Sequence, residues 1–330
     1  MKLAVFAATL WVAGSGFAQN IATPSNVIWK LATGYSAESF HTQNINAFAA
    51  EVARASDNAL RIEVYAGNGL VKLNDIRQAV QEGRVDAGET IMTSMVKDMS
   101  IAGVDSIPFV VGSYADARRL WLLQRPLMER QLAQRGLKLL YAVPWPPQGL
   151  YSKRPIVDGK DFRGSNMRTY NETTVRIAQA LGATPVNVAM VDVGKALADG
   201  RIDNMITSAV TGVENRVWDH VRNYYEINAW YPKNILLVNL QRFNALPAVV
   251  QKAVTTAANA ADLRGWIVSE RAARDSTETL RRNGVKINAT PPALERDLQR
   301  IGERFSSEWV KAVGADALEV FIPYFMTTNK

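Results

Sequence analysis

Two stretches of this chain repeat one another. Asp75-Ile-Arg-Gln-Ala79-Val-Gln-Glu-Gly83-Arg84-Val85-Asp86 and Asp192-Val-Gly-Lys-Ala196-Leu-Ala-Asp-Gly200-Arg201-Ile202-Asp203 both read D-x-x-x-A-[VL]-x-x-G-R-[VI]-D, and 192 − 75 sets them 117 residues apart. Each reads as a short helix, a glycine that ends it in the left-handed conformation, and the start of a strand. The same unit met twice implies two similarly built α/β lobes, and two lobes make a cleft. A generic helix–glycine–strand connection matched by chance is the competing reading. The 330 residues suffice for two domains of the usual ~100–200 residues each.

The pattern around each copy fits that division. Val27 to Ala32 reads as a buried strand, Thr33 to Ser36 as a turn, and Ser39 to about Ala55 as a helix with Phe40, Phe48, Val52 and Ala55 near one face. Leu60 to Tyr65 alternates as a strand does, Asn68-Gly69 marks a turn, Asn74 to Glu82 a short helix and Arg84 to Ile91 a strand. The second third repeats the order: strands at Leu137 to Val143 and Ser165 to Tyr170, a helix capped by Asn171, a strand at Pro185 to Met190, a helix at Asp192 to Asp199 and a strand at Ile202 to Thr207. Strands alternating with helices predict mostly parallel sheets. From Pro247 an Ala-rich stretch reads as one helix to about Arg282, long enough to bridge both lobes, and a last helix from Pro292 to about Val313 precedes a Phe321-Ile322-Pro323 tail.

Composition removes much catalytic chemistry. The chain has no cysteine, so disulfides, thiolate metal sites and cysteine nucleophiles are excluded. It has two histidines, His41 and His220, too few for a multi-histidine metal site, and no G-x-S-x-G elbow stands near either. His41, early in a helix, reads as a surface or packing residue. Gly67-Asn68-Gly69 lacks the third glycine of a dinucleotide loop, and no P-loop is present. The net charge of +7 comes without an arginine-rich arm or an aromatic RNA-binding motif, so it points to a basic face for anions or partners rather than to nucleic acid.

The N-terminus carries Lys2, an apolar run from Leu3 to about Ala13, and small residues at Gly16 and Ala18. This is the layout of a secretory leader, 1–18, cleaved after Ala18. The run is shorter than the ~17–25 residues a membrane span needs.

A binding site has more support than a catalytic one. Arg168 ends a predicted strand just before the helix N-terminus at Asn171, where a guanidinium can take a carboxylate through two parallel hydrogen bonds and the helix dipole adds to the anion preference. Trp145-Pro-Pro-Gln148-Gly lies at the first crossing between lobes, and Trp230-Tyr-Pro232 at a second. Aromatics with prolines at such crossings serve either as hinge packing or as the walls of a ligand slot.

These residues resemble the solute receptors of tripartite ATP-independent periplasmic (TRAP) transporters. Asp161-Phe-Arg-Gly164-Ser-Asn-Met167-Arg168, Leu181-Gly182-Ala183-Thr-Pro185-Val186 and Ala196-Leu197-x-x-Gly200-x-Ile202-Asp203 are similar to that family's D-L-x-G-x-K-[IM]-R, L-G-A-x-P-V and A-L-x-x-G-x-[VI]-D. Leu60 to Tyr65, Gly83-x-Val85-Asp86, Ile107-Pro108-Phe109 and Leu246-Pro247 also stand where the family has similar residues, and the likeness covers about residues 28 to 310.

The resemblance implies a periplasmic-binding-protein fold of the type II-like kind: two α/β lobes around a ligand cleft, braced by a long helix. Lobe one would be 27–145 with about 234–270, and lobe two 146–233 with about 271–330. It implies capture of a small organic carboxylate, an aromatic, hydroxy or oxo acid among the candidates, for delivery to a TRAP membrane permease. Arg168 corresponds to the family's clamping arginine. Gln148 stands where a second cation is common, Asp192 where Glu is usual, and Thr207 or Ser208 where the family has Asn. Trp145, Tyr170 and Trp230, and Tyr151 beside them, would suit a flat or aromatic acid, with core packing an equal reading of any one of them, and the closing lobe would contribute Tyr35, Ser36 and Glu89. No cofactor, metal or nucleic acid is expected, and a periplasmic monomer without catalytic activity is. The alternatives are a secreted α/β enzyme acting on an anion, and the receptor of an ATP-driven importer.

Overall fold

The computed structural model describes residues 26–328, so the leader expected at 1–18 lies outside the described residues. In chain order the elements are β1 (Val27–Ala32), α1 (Phe40–Ala55), β2 (Leu60–Tyr65), α2 (Ile76–Gln81), β3 (Ala87–Ile91), α3 (Tyr114–Ala133), β4 (Leu137–Pro144), β5 (Gln148–Ser152), β6 (Asn166–Thr169), α4 (Glu172–Ala180) and β7 (Thr184–Asn187). There follow α5 (Val193–Ala198), β8 (Asn204–Ser208), α6 (Ala209–Glu214), β9 (Asn223–Tyr225), β10 (Lys233–Asn239), α7 (Leu240–Asn244), α8 (Ala248–Arg282), β11 (Lys286–Asn288), α9 (Pro292–Val313) and α10 (Ala315–Thr328).

The strands form two sheets, ordered β2-β1-β3-β10-β4 and β11-β9-β5-β8-β6-β7. Both are mixed, which corrects the mostly parallel expectation. β10 runs antiparallel to β3 and β4, and β5 antiparallel to β8 and β9. The cause is the crossings: the chain leaves the first sheet after β4 and returns from β9 as β10, entering each sheet against the direction of its neighbours.

The repeated unit is repeated in its hydrogen bonds. Gly83 and Gly200 both adopt positive φ, 72° and 70°, behind α2 and α5. Arg84 N–H then bonds Ala79 C=O, and Arg201 N–H bonds Ala196 C=O, each at 2.9 Å. The closing aspartates do the same work in both lobes. Asp86 accepts the Lys30 N–H of β1 at 2.8 Å, and Asp203 accepts the Asn166 N–H of β6 at 2.9 Å. Each carboxylate thus fixes the start of one strand beside another.

α1 begins where the Ser39 hydroxyl accepts the His41 N–H, and buries Ile45, Phe48 and Val52 under the first sheet. Full burial of such side chains stabilises by about 1.5–3 kcal/mol each. α8 runs 35 residues, roughly 50 Å at the α-helical rise, packing on α1 and β4 at one end and on α6 and β11 further along. Its Gly265 is required by contact: a Cβ there would stand 2.4 Å from Val143 Cγ2. The residues expected as a Phe321 to Pro323 tail lie within α10, where Phe321 and Tyr324 are buried and the Tyr324 hydroxyl donates to Val110 C=O at 2.8 Å. α10 packs on α3, and α9 touches both the turn at Ser100–Ser106 and the one at Gly159–Phe162.

Candidate functional site

The cleft between the sheets contains a cavity of about 450 Å³. Arg168 lies in its wall on β6, beside Val186 of β7 and Met205 of β8. Its side chain is 3% exposed, its Nε–H donates to Val188 C=O at 3.0 Å, and its guanidinium lies 4.8 Å from the centre of the Tyr170 ring. No carboxylate pairs with it among the described residues. Burial lowers its pKa to about 10, only partly offset by the Tyr170 and Tyr35 oxygens. One edge of the guanidinium is tied to backbone. The remaining donors of its planar fork have the geometry for a carboxylate from the cavity.

Gln148, at the start of β5, is held on both sides: its N–H bonds Trp230 C=O and its C=O accepts the Ala229 N–H, each at 3.0 Å. Its side-chain Nε2 donates to Pro146 C=O at 2.8 Å and Oε1 faces the Tyr170 hydroxyl at 3.5 Å. Burial raises Tyr170 to about 12, with Arg168 and the Trp230 indole pulling back. Thr207 and Ser208 end β8 on the same wall, and the Ser208 hydroxyl caps α6 by accepting the Thr211 N–H.

The opposite wall is aromatic. Tyr35 and Trp145 meet edge-on with ring centres 5.2 Å apart. The Tyr35 hydroxyl and the Trp145 indole N–H both donate to one atom, Asn234 Oδ1 of β10, at 3.2 and 2.9 Å. An indole N–H can only donate, so the amide orientation of Asn234 is fixed. Ile91 at the end of β3 completes this side.

Seven of the ten residues expected at the site, namely Arg168, Gln148, Trp145, Tyr170, Thr207, Ser208 and Tyr35, line the cavity. Three do not. The Trp230 indole joins the hydrophobic core, and only its backbone reaches Gln148. Ser36 is half-buried in the turn outside the lining. Glu89 lies two residues below Ile91 on β3, 2% exposed, with Oε2 accepting the Thr33 hydroxyl at 2.7 Å and Oε1 3.1 Å from His41 Nδ1. A carboxylate turned into the lobe and held there is not presented to the cleft.

Two rims escaped the sequence reading: Lys72, Leu73 and Asn74 from the first lobe, and Asn187 to Val191 from the second, next to Asp192, which the family likeness did single out. They are the segments immediately before the two copies of the repeat. Ligands of α/β folds gather where such loops leave the carboxyl ends of strands, so the repeat itself carried the signal. The first rim is built tightly: Asn68 Oδ1 accepts the Leu73 N–H at 2.9 Å, and a Cβ on Gly34 beneath it would stand 2.6 Å from Leu73 Cβ.

Among the described residues no group of three or more His, Asp or Glu is placed to hold a metal, and no helix is long and apolar enough to cross a membrane.

Two α/β lobes crossed repeatedly by one chain, with an enclosed guanidinium facing the cavity between them, define a two-lobe solute-binding protein. The chain belongs to the DctP family, the bacterial extracellular solute-binding proteins of family 7, whose model matches residues 31–311. Among solved structures it is similar to DctP7 of Bordetella pertussis, a receptor binding pyroglutamic acid, at 36% identity and TM-score 0.88 over 90% of this chain and 99% of that one. It is also similar to a marine metagenome TRAP solute-binding protein specific for pyroglutamate, at 32% identity and TM-score 0.89 over 92% and 99% of the two chains. A curated solute-binding protein of Albidiferax ferrireducens is 25% identical over 181 residues, 54% of this chain and 53% of its own length. The chain thus spans about half the length of the curated relatives it matches.

Proposed function

We propose that this protein is the periplasmic solute receptor of a TRAP transporter, and that its ligand is pyroglutamate or a close five-membered-ring acid. The observation that carries the reading is Arg168: a buried guanidinium with no carboxylate partner among the described residues, facing a cavity. Three similar structures, at 36%, 33% and 32% identity, bind pyroglutamate. The aromatic wall of Tyr35 and Trp145 suits the apolar face of a small ring, and Gln148, Thr207 and Ser208 offer neutral hydrogen-bonding groups for a lactam.

The mechanism follows from differential affinity. A carboxylate docks on Arg168 in the open cleft, and closure brings the first lobe against it, because the closed state makes more contacts with the ligand than the open one. Excluding water strengthens the ion pair. Delivery to a membrane permease, export by a leader cleaved after Ala18, and action as a monomer without turnover belong to the same proposal. So does the division into lobe one, 27–145 with about 234–270, and lobe two, 146–233 with about 271–330.

Thermal shift tests it. A ligand that binds only the folded state raises the midpoint by mass action. L-pyroglutamate should raise it strongly and the neutral pyroglutamamide should not. Equal shifts from both would remove the carboxylate clamp, and a shift with a different acid alone would replace the ligand while keeping the receptor.

A further inference from the structure

The molecule has two histidines, and one is placed directly behind the ligand cavity. His41 is 1% exposed. Its ring centre lies 4.3 Å from that of Trp145 and 5.7 Å from that of Tyr35, the two rings that form the aromatic wall. Nδ1 lies 3.1 Å from Glu89 Oε1, off the line of a hydrogen bond, and Nε2 has no hydrogen-bond partner among the described residues. Glu89 is tied to the wall as well: the Thr33 hydroxyl that it accepts itself takes the Tyr35 N–H at 3.4 Å.

We infer that His41 and Glu89 form a buried proton-holding pair that couples capture of an anionic ligand to protonation of the first lobe. The inference rests on the carboxylate reading of the site. With His41 protonated, the pair is neutral overall. When His41 loses its proton, an uncompensated carboxylate remains behind the wall, and its field opposes a second carboxylate arriving on Arg168. The same field already acts on the wall, since Glu89 contributes to raising the Tyr35 hydroxyl. By linkage, an anion that binds better to the protonated form must also make the protein hold that proton more tightly.

The other charged groups around this spot are accounted for. On α8, Asp262 pairs with Arg118 at 2.6 Å, and Arg264 pairs with Glu51 of α1 at 2.7 Å. Tyr141 of β4 carries a hydroxyl pushed far up by burial. Tyr35 precedes α1 and is pushed up likewise. Across the cavity stand Arg168 and Tyr170. Of the acids on this side, only Glu89 depends on a histidine for its counter-charge, and histidine is the side chain that changes charge near neutral pH. His220 is exposed in the second lobe and serves as an internal control.

The test is affinity for L-pyroglutamate by calorimetry between about pH 5.5 and 8.5, the range spanning histidine titration. Wild type should bind more weakly as pH rises, by roughly tenfold across the range, the scale of one charge added a short way behind an anion site. His220→Gln should keep that slope. His41→Gln should lose it and stay at the weak, high-pH level. The double variant His41→Gln with Glu89→Gln should lose the slope and bind at least as tightly as wild type at low pH. A flat wild-type profile, or a slope that survives in His41→Gln, overturns the inference. Where L-pyroglutamate fails to bind at any pH, the ligand reading fails, and the imidazole NMR signals of the unliganded protein decide the pair. A His41 signal that changes protonation state over the range supports it, and one that never changes overturns it.

Discussion

The Lys233 ammonium lies 3.3 Å from Asp105 Oδ2, and the same oxygen accepts the Lys233 backbone N–H at 2.9 Å, with neither side chain exposed. Burial pulls Lys233 down and pushes Asp105 up, while each partner works to keep the other charged. The pair fixes the first residue of β10 to the turn at Ser100–Ser106, just where the chain has crossed back between lobes. Lys233→Met leaves a buried carboxylate without a counter-ion and should cost about 3–5 kcal/mol in urea unfolding. Adding Asp105→Leu should restore part of it. A single-variant loss below about 1 kcal/mol would mean that water reaches the pair.

Arg168→Ala should weaken ligand binding by at least ~2 kcal/mol, the scale for truncating one side of a desolvated charge pair. Arg168→Lys should recover little, because an ammonium cannot present a planar fork. Gln148→Ala should cost less than Arg168→Ala. Calorimetry on the three variants ranks them, and the reverse order would move the anchor to the first crossing.

Ligand affinity should also fall as pH rises through about 10, where burial places Arg168 in the empty cleft. The sign is definite. A bound carboxylate favours the protonated guanidinium, so the liganded form retains the proton to higher pH than the free form, and binding weakens once the free form has lost it. Stability of the empty protein moves the other way between that value and the higher ordinary arginine value, because the unfolded chain holds the proton more tightly there. A titration followed by tryptophan fluorescence, compared with Arg168→Ala, would expose a false assignment as a decline shared by both.

Asn234→Leu removes the one acceptor used by Tyr35 and Trp145 and leaves two buried donors unpaired. Each should cost about 1–3 kcal/mol of stability, and the released rings should weaken binding as well. Chemical unfolding and calorimetry read the two effects separately. Loss of stability with unchanged affinity would show that the aromatic wall holds its shape by packing alone.

Asn171 works in two directions: Oδ1 accepts the Thr174 N–H to cap α4, and Nδ2 donates to Thr93 of the first lobe at 2.8 Å. Thr93→Val deletes the link between lobes and spares the cap, so ligand dissociation should speed up by about 0.5–1.5 kcal/mol in barrier with little change in melting temperature. Asn171→Ala should add about 1 kcal/mol of lost stability. Stopped-flow release and thermal melts give the two readouts, and identical behaviour of the variants would count against a link that favours closure.

Much of this architecture was legible in the chain. β1, α1, β2 and α8 announced themselves by alternation, helical spacing and alanine content, and Arg168 stood out because it comes just before a cap. α3 hid because Pro126 interrupts a stretch crowded with arginines, although tertiary packing of Leu120, Trp121 and Met128 holds it helical. β10 hid for the opposite reason: all seven of its residues are buried, Lys233 included, so it shows no alternation. Glu89 misled because a charged residue near the end of a strand suggests a ligand contact, whereas Thr33 and His41 hold it inside the lobe. The rims at 72–74 and 187–191 carry no motif of their own, and only their place before the repeat marks them.

The position of β10 has a consequence for how the molecule comes into being. It sits between β3 and β4, pairing Asn234 with Ile91 on one side and with Val143 on the other. Until residue 239 has emerged, the first lobe has a slot through the middle of its sheet, bounded by two bare strand edges. Bare edges are templates for aggregation, and non-local pairing of this kind folds late. The lobe that begins first is therefore completed only after β5 to β9 of the other lobe have emerged. A chain cut short anywhere between β5 and β9 spoils the first lobe too, so the stretch before β5 cannot be inherited or expressed as a finished lobe by itself.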